Sequence, residues 1–285
     1  MQSDIGVRQG DVLSPMLFNL YVNDINECLN DPLCDLITLN DVLIKCLMYA
    51  DDIVLLSSSQ RGIQKQLNIL DKYCEEWQLN LNVSKTKIMI IAKNKITAKL
   101  VYRDTQLEQM DSFPYLGVLF NSNGNFKDNL NRLSNKAQRA MYKLGNYNSH
   151  ISLCASKQLH IFDHTIKPIL LYCAEVTFDS NPCSKRTFED FKCESILEKT
   201  HKKFLRYMLR LNSKTAIDAL YADTGRYPFY IEIIKRMVKY EDKLEKMGPE
   251  TLLYHAHVEN KKLADKGIHT WSYKTKHIIK ILRRL

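Results

Sequence analysis

Two adjacent aspartates between two short apolar runs are the feature that most restricts the fold of this chain. Asp51 and Asp52 separate the run 42–49 from the run 53–57, and both runs are rich in aliphatic and β-branched residues. Runs of this length around a short polar segment predict a β-hairpin with the carboxylates at its tip. Two like charges are therefore expected side by side on an exposed turn.

The paired carboxylates themselves favour a cation-binding site. Like charges repel, and the residues flanking Asp51 and Asp52 are apolar, so the sequence supplies no obvious neutralising partner. A divalent cation would remove the conflict, and hard oxygen ligands of this kind suit Mg²⁺, or Mn²⁺ in its place. The alternative is a surface turn that favours aspartate for its backbone geometry alone.

The rest of the first 120 residues alternates between helical and strand periodicity. Apolar residues recur at helical spacing over 15–29, with Ser14 as the predicted N-terminal cap, and again over 63–77. Further strands are predicted at 87–92, 100–103 and 115–120. The pattern indicates an α+β layer over residues 1–120.

Positive charge is concentrated in the remainder of the chain. Residues 1–120 contain 11 Lys and Arg against 15 Asp and Glu, whereas residues 121–285 contain 30 against 17. The second part predicts a helical basic module over 121–248 that binds a polyanion, followed by a basic tail, 249–285, of unknown role. Ordinary solvated lysines on helices are the alternative. Helical patterns occur there at 126–144, 156–173, 188–211 and 230–247.

Other features of the sequence mainly exclude classes of protein. The longest apolar runs are shorter than the roughly 18 residues that a membrane span requires. The first ten residues do not resemble a signal peptide, so an intracellular protein without a membrane partner is expected. His255 and His257 lack closely spaced cysteines, which argues against a zinc knuckle and predicts a solvated surface pair.

Four segments resemble, in order and spacing, the reverse transcriptases of non-LTR (LINE-type) retrotransposons. Residues 6–21, GVRQGDVLSPMLFNLY, resemble motif B, and residues 49–52, YADD, resemble motif C. Residues 82–87, NVSKTK, resemble motif D, and residues 115–117, YLG, resemble motif E, the primer grip. The resemblance is strongest over residues 5–120 and extends to about residue 247.

The resemblance implies both a fold and a function. The implied fold is α+β: a partial polymerase palm, with an antiparallel sheet and two helices, followed by an all-helical thumb-like module. The implied function is RNA-directed DNA polymerase, in the nucleus, with Mg²⁺ or Mn²⁺ as cofactor. The implied partners are an RNA template, a DNA primer that is extended at its 3′ end, and deoxynucleoside triphosphates.

The resemblance also implies roles for residues in the motifs. Asp51 and Asp52 would be the catalytic metal ligands, and Lys85 would neutralise or protonate the departing pyrophosphate. The residues expected beside the nucleotide and template are Arg8, Gln9, Gly10 and Tyr49, and those expected to hold the primer are Tyr115, Leu116 and Gly117.

Two clusters of basic residues predict contacts to the nucleic-acid backbone. Lys136, Arg139 and Lys143 lie three and four residues apart, which places them on one face of a helix. The second cluster combines cations with aromatic residues, a composition typical of nucleic-acid binding. It comprises His201, Lys202, Lys203, Arg206 and Arg210, with Phe204 and Tyr207 between them.

The sequence departs from the family pattern before motif B. The family places a third metal-binding aspartate, motif A, on a strand well upstream, and Asp4 lies too close to motif B to take that place. The metal site is thus expected to be one carboxylate short, and DNA synthesis by this chain is expected to be impaired. The alternative function is a non-catalytic nucleic-acid-binding remnant of a retrotransposon.

Overall fold

The computed structural model describes residues 10–92, 94–150, 153–178 and 195–282. The chain forms two compact units, Met1–Asp111 and Ser112–Leu285. Both helices and strands are present, which confirms the mixed α and β character that the sequence predicted. Within the described ranges, no helix is both long enough and apolar enough to cross a bilayer.

The helix predicted at 15–29 is interrupted, and its predicted cap is wrong. It consists of α1, Ser14–Tyr21, and α2, Ile25–Cys28. Ser14 is already helical, and Leu13 occupies the N-terminal cap position without a side-chain hydrogen bond. Asp11 supplies the side-chain hydrogen bond at this end instead, since its Oδ1 accepts a hydrogen bond from the backbone N–H of Leu13 at 3.0 Å.

Only the second half of this apolar stripe is buried. Ile25 and Leu29 pack against Leu70 and Cys74 of helix α3, Gln60–Glu76, which confirms the helix predicted at 63–77. Burial of these apolar side chains stabilises the first unit. Helix α1 contributes little to that core, because its large apolar side chains are exposed: Met16, Leu17 and Leu20.

The predicted aspartate hairpin is confirmed, although its first strand is shorter than expected. Strands β3, Cys46–Tyr49, and β4, Asp52–Leu55, pair antiparallel. Residues 42–44 form a separate strand, β2, that pairs with β1, Ile37–Leu39. The turn between β1 and β2 has two residues of positive φ, Asn40 and Asp41, as tight hairpins require.

The predicted antiparallel pairing is confirmed for four of the five strand pairs in the described residues, but the pairs remain separate, and the palm arrangement stays a prediction. Strands of two to four residues are too short to recruit further neighbours. The strand predicted at 115–120 is instead a hairpin, because Leu116 and Gly117 have positive φ. The remaining strands are β5 Lys87–Ile88, parallel to β8 Glu108–Gln109; β6 Val101–Tyr102 with β7 Thr105–Gln106; and β9 Ser112–Tyr115 with β10 Val118–Asn121.

Beyond the β9–β10 hairpin, the described part of the second unit is helical. The predicted helix at 156–173 is interrupted by a π-helical turn, Phe162–Ile166, and ends before Cys173, which has φ 51°. The first residues of the helix predicted at 188–211 lie outside the described residues. The helices are α4 Lys127–His150, α5 Ala155–Ile161, α6 Lys167–Leu170, α7 Ala174–Thr177, α8 Ile196–Met208, α9 Ile217–Thr224, α10 Phe229–Glu245, α11 Leu252–Asp265 and α12 Trp271–Leu282.

One apolar core joins most of these helices. Phe162, Leu205, Leu220 and Ile233 are at most 1% exposed and belong to the same cluster, although they are up to 71 residues apart in sequence. Burial of this kind requires side chains from several helices to interdigitate. Residues 249–285, predicted only as a basic tail, contain α11 and α12. The predicted domain boundaries after residues 120 and 248 stay predictions.

Candidate functional site

The β3–β4 hairpin presents Asp51 and Asp52 at a two-residue turn. Tyr49 pairs with Asp52 across the strands, so Ala50 and Asp51 form the turn itself. Ala50 has φ 52°, a left-handed conformation that alanine rarely adopts, so the strand pairing on both sides must hold it. Both aspartates are exposed. Pairing of the flanking apolar strands thus brings the two carboxylates to the surface.

The register separates the two faces of this hairpin. One face packs on the core of the first unit through Met48 and Ile53. Tyr49 and Asp52 lie on the opposite face, and Tyr49 is 63% exposed. An aromatic ring and a carboxylate therefore share one open surface next to the turn.

The two carboxylates have no internal neutralisation in the described structure. Neither Asp51 nor Asp52 accepts a hydrogen bond or forms an ion pair with any residue that the structure describes. Adjacent carboxylates without cationic partners repel each other, and at an exposed turn only water and salt screen that repulsion. Two exposed oxygen-donor groups of this kind fit a hard divalent cation that retains several waters.

The motif B residues are only partly within the described structure. Arg8 and Gln9 lie outside the described residues. Gly10 is exposed and has φ +87°, a backbone conformation that favours glycine, four residues before the start of α1. The apolar face of α1 is exposed, which the sequence periodicity did not predict. Apolar residues at this spacing are typical of a buried helix face.

Lys85 lies in a turn whose structure is set by Asn82. The Lys85 amide donates to Asn82 Oδ1 at 3.2 Å, and Thr86 Oγ1 donates to the Asn82 carbonyl at 2.9 Å. The Lys85 side chain is exposed. Its predicted role at the pyrophosphate stays a prediction.

The YLG segment forms the turn of the β9–β10 hairpin and is held by two side chains of its own unit, Arg132 of α4 and Tyr172 of the turn after α6. Tyr172 Oη donates to the Leu116 carbonyl at 2.8 Å, and Arg132 donates to the Gly117 carbonyl. Gly117 has φ +79°, and a β-carbon there would lie 3.0 Å from the Tyr172 ring. Only glycine fits this turn without displacing the tyrosine. Sequence reasoning did not identify either supporting residue.

The two predicted basic clusters lie on neighbouring helices. Lys136, Arg139 and Lys143 are exposed on α4. Helix α4 packs against α8, and Lys203 of α8 donates to Gln138 of α4 at 3.0 Å. Because tertiary packing places the helices side by side, cations 60 residues apart in sequence form one basic surface.

A groove of about 500 Å³ opens on the α8 part of this surface. Arg206 is anchored at its edge by a hydrogen bond from Nη2 to the Thr215 carbonyl at 3.3 Å. A groove lined by several cations suits phosphate groups. Its lining residues are Lys199, Lys202, Lys203, Arg206, Leu211, Ser213 and Ile217.

Two residues predicted to belong to this surface are instead buried. His201 is 1% and Phe204 3% exposed, because both stack on Phe162 in the helical core. Tyr207 is 46% exposed and lies edge-on to Tyr142, at 6.4 Å between ring centroids. Tyr142 was missed by the sequence analysis, although its position three residues after Arg139 on the same helix could have suggested it.

Comparison with known proteins identifies the first part of the chain. Residues 3–120 match the model of the family described as reverse transcriptase (RNA-dependent DNA polymerase). The match contains the hairpin of Asp51 and Asp52, Lys85 and the YLG turn.

The chain is also similar to polymerases of transposable elements. It is 29% identical over 184 residues to a probable RNA-directed DNA polymerase from transposon BS of Drosophila melanogaster, covering 59% of this chain and 19% of that protein. It is 30% identical over 137 residues to the Pol polyprotein of the type-1 retrotransposable element R2 of Nasonia vitripennis, covering 44% and 13%. It is 24% identical over 182 residues to the polymerase from mobile element jockey of Drosophila melanogaster, covering 60% and 19%. The chain thus spans less than a fifth of the length of these relatives.

Proposed function

Residues 3–120 are a reverse transcriptase segment of the non-LTR retrotransposon type, and from that premise we propose that the chain acts in RNA-directed DNA synthesis. The reaction is transfer of a deoxynucleotide to the 3′ end of a DNA primer on an RNA template. The observation that supports it best is the exposed turn with Asp51 and Asp52, which lies inside the matched segment and forms no hydrogen bond or ion pair through its carboxylates to the described residues.

Asp51 and Asp52 hold the divalent ion that the family uses. Mg²⁺ is the proposed ion, because two exposed carboxylates leave room for waters and triphosphate oxygens, and Mn²⁺ can replace it. When bound, the ion stabilises negative charge on the attacking and leaving oxygens. Asp51 supplies its carboxylate from the turn, and Asp52 from the adjoining strand. Because one hairpin fixes both carboxylates, they are already positioned when the substrate binds.

The other motif residues orient the substrates. Lys85 carries an exposed ammonium that can neutralise pyrophosphate as it leaves. Gly10 lets backbone approach the nucleotide closely, beside Arg8 and Gln9. Tyr172 and Arg132 hold the YLG turn against the primer. On this proposal, residues 1–120 are the palm part and the helices beyond them are thumb-like.

The basic surface of α4 and α8 binds the nucleic-acid backbone. The groove beside Lys202, Lys203 and Arg206 suits phosphate, and the exposed rings of Tyr142 and Tyr207 lie next to these cations. Lys203 Nζ is 5.3 Å from the centroid of the Tyr142 ring. Exposed aromatic rings among cations are a common means of holding bases and phosphates together.

Metal binding at the hairpin is the direct test of this proposal. Mn²⁺ titrated into the purified chain should give an electron paramagnetic resonance signal of bound ion that Mg²⁺ displaces. The Asp51→Asn, Asp52→Asn double variant should lose that binding, because two of the proposed oxygen ligands are neutralised. The matched control is Asp104→Asn, which neutralises an exposed aspartate in the turn of another hairpin, β6–β7. Equal Mn²⁺ binding by the double variant and the unchanged chain would contradict the proposal.

A second candidate function is nucleic-acid binding without catalysis. It is favoured by the basic groove on α8, whose lining residues do not include Asp51 or Asp52. The two functions differ in their requirement for metal. Binding without catalysis predicts an affinity for an RNA–DNA duplex that neither Mg²⁺ nor the two aspartates change.

Salt dependence should show whether the groove holds phosphates. We expect the Lys199→Gln, Lys202→Gln, Lys203→Gln variant to reduce the slope of log affinity against log salt by about 2, since each lost phosphate contact removes roughly 0.7 to 0.9. Filter binding of an RNA–DNA duplex across a salt series measures the slope. The control carries the same change of charge on the exposed lysines of α10: Lys235→Gln, Lys239→Gln, Lys243→Gln. If both variants change the slope equally, the groove is not the binding surface.

A further inference from the structure

Helices α10 and α11 bring three side chains of metal-ligand type together. Glu241 and Glu245 lie four residues apart on α10, and His257 faces them from α11. One ligand atom from each of the three lies within 4.8 Å of the other two. His257 Nε2 is 3.6 Å from Glu241 Oε1. This cluster lies in the second unit. Its three residues belong to none of the four motifs, and the family match ends at residue 120.

Burial makes this cluster different from an ordinary surface group of acids. The Glu241 side chain is 6% exposed and that of His257 is 4% exposed. Glu241 Oε2 and both ring nitrogens of His257 have no hydrogen-bond partner in the described structure, although all three atoms are buried. An unsatisfied buried polar atom costs about 1 to 3 kcal/mol. Three of them at one point indicate that the described chain lacks the group that satisfies them.

Two ammonium groups lie near the two carboxylates. Lys261 Nζ lies 2.9 Å from Glu245 Oε1 and 3.9 Å from Glu241 Oε1, whereas Lys276, which also acts on Glu241, pairs with Asp265 at 2.7 Å. The Lys261 side chain is 32% exposed and can therefore turn towards solvent.

We infer that Glu241, Glu245 and His257 bind one divalent ion of the zinc class, which joins α10 to α11. Imidazole nitrogen and carboxylate oxygen are both ligand types that Zn²⁺ accepts, and three protein ligands leave the fourth position to water. Bond lengths of about 2.0 to 2.2 Å place neighbouring ligand atoms of a tetrahedral site a little over 3 Å apart. The His257–Glu241 distance is already near that value, and a small rotation of Glu245 completes the set.

The ion would stabilise the segment that the sequence left without a role. Helix α11 follows α10 after a short turn, and a metal bond between them adds to their apolar contacts. Binding to the folded chain alone raises its stability by mass action. The expected result is a melting temperature of the second unit that rises by several degrees with Zn²⁺ and falls again with a chelator.

Isothermal titration of the untagged, chelator-stripped full chain with zinc chloride tests the inference. We expect a site that His257→Gln weakens at least about 100-fold, because even the loss of an outer partner of a metal ligand costs 10- to 100-fold. The matched control is His255→Gln on the same helix, since His255 Nε2 bonds the Pro249 carbonyl instead. Cobalt(II) spectra separate this oxygen and nitrogen site from binding by the eight cysteines, which would add thiolate charge-transfer bands.

Two further variants keep the test decisive if His257→Gln fails to fold. Glu245 is 53% exposed, so Glu245→Gln should fold and still weaken Zn²⁺ binding. Lys261→Gln removes the competing ammonium and should strengthen Zn²⁺ binding severalfold, a gain that misfolding cannot produce. The inference is overturned if the unchanged chain and these variants bind Zn²⁺ alike, or if none binds it. Either result would make Glu241 and His257 a buried pair without metal.

Discussion

Neutralising either aspartate of the exposed turn should slow Mg²⁺-dependent primer extension by at least about 10²- to 10³-fold, the cost of losing one preorganised electrostatic group. Asparagine keeps the shape of Asp51 or Asp52 but removes the charge that binds the ion. The measurement is extension of a labelled DNA primer on an RNA template, with each variant compared with the unchanged chain. The comparison requires that the unchanged chain extends the primer measurably above a reaction without protein.

The matched control for this experiment is again Asp104→Asn. Asp104 is exposed in the turn of the β6–β7 hairpin, so the change alters the charge of the first unit equally. We expect its extension rate to equal that of the unchanged chain within about twofold. Extension by Asp51→Asn at the rate of the Asp104→Asn control would refute a catalytic role for the turn.

Loss of the buried carboxylate Glu198 should have the largest effect on stability, about 3 to 5 kcal/mol in the free energy of unfolding. Glu198 lies on α8, is 3% exposed, and accepts hydrogen bonds from Tyr221 Oη and from the Phe229 amide. Those donors lie on α9 and at the start of α10, so one carboxylate ties three helices together. Glu198→Ala leaves both donors buried without an acceptor. Urea unfolding followed by circular dichroism measures the change.

A surface glutamate of the same unit provides the control. Glu232 pairs with Lys167 and Arg236, but its side chain is 37% exposed, so Glu232→Ala should cost no more than about 1 kcal/mol. If the two alanine variants lose the same stability, Glu198 does not hold the helices together.

The contribution of Glu198 should also depend on pH. Burial raises its pKa, but the neighbouring His201 ring and the hydrogen bonds from Tyr221 and the Phe229 amide outweigh burial, and the net pKa lies below the ordinary 4.5. A lowered folded-state pKa stabilises the fold above pH 4.5 and loses that effect as pH falls through the folded-state value. The stability difference between Glu198→Ala and the unchanged chain should therefore shrink in acid.

Local patterns in the sequence were sufficient for the hairpin and for most long helices. Apolar strands on both sides of Asp51 and Asp52 can pair only with the aspartates at the turn, because pairing is local and the turn is short. The stripe of α3 likewise follows from helical spacing alone. Where single residues adopt positive φ, as Leu116 does, the strand pattern failed, since nothing in an apolar run signals that conformation.

Burial of polar side chains was not accessible from the sequence. His201 stands among lysines and was predicted to face solvent, yet it stacks on Phe162, 39 residues earlier in the chain. His257 was predicted to lie on the surface and is buried against Glu241. In both cases the contact that buries the histidine comes from another helix. Helical spacing does not predict which neighbouring element a helix face will contact.

By itself, the sequence determined the chemistry of the chain: paired carboxylates on a hairpin, the order of the motifs around them, and an excess of cations in the helices that follow. Tertiary structure alone decided which of these groups come together. It placed the cations of α4 beside those of α8, and Glu241 beside His257. The physical reason is range: charge and periodicity act between near neighbours in the chain, whereas burial depends on packing among segments distant in sequence.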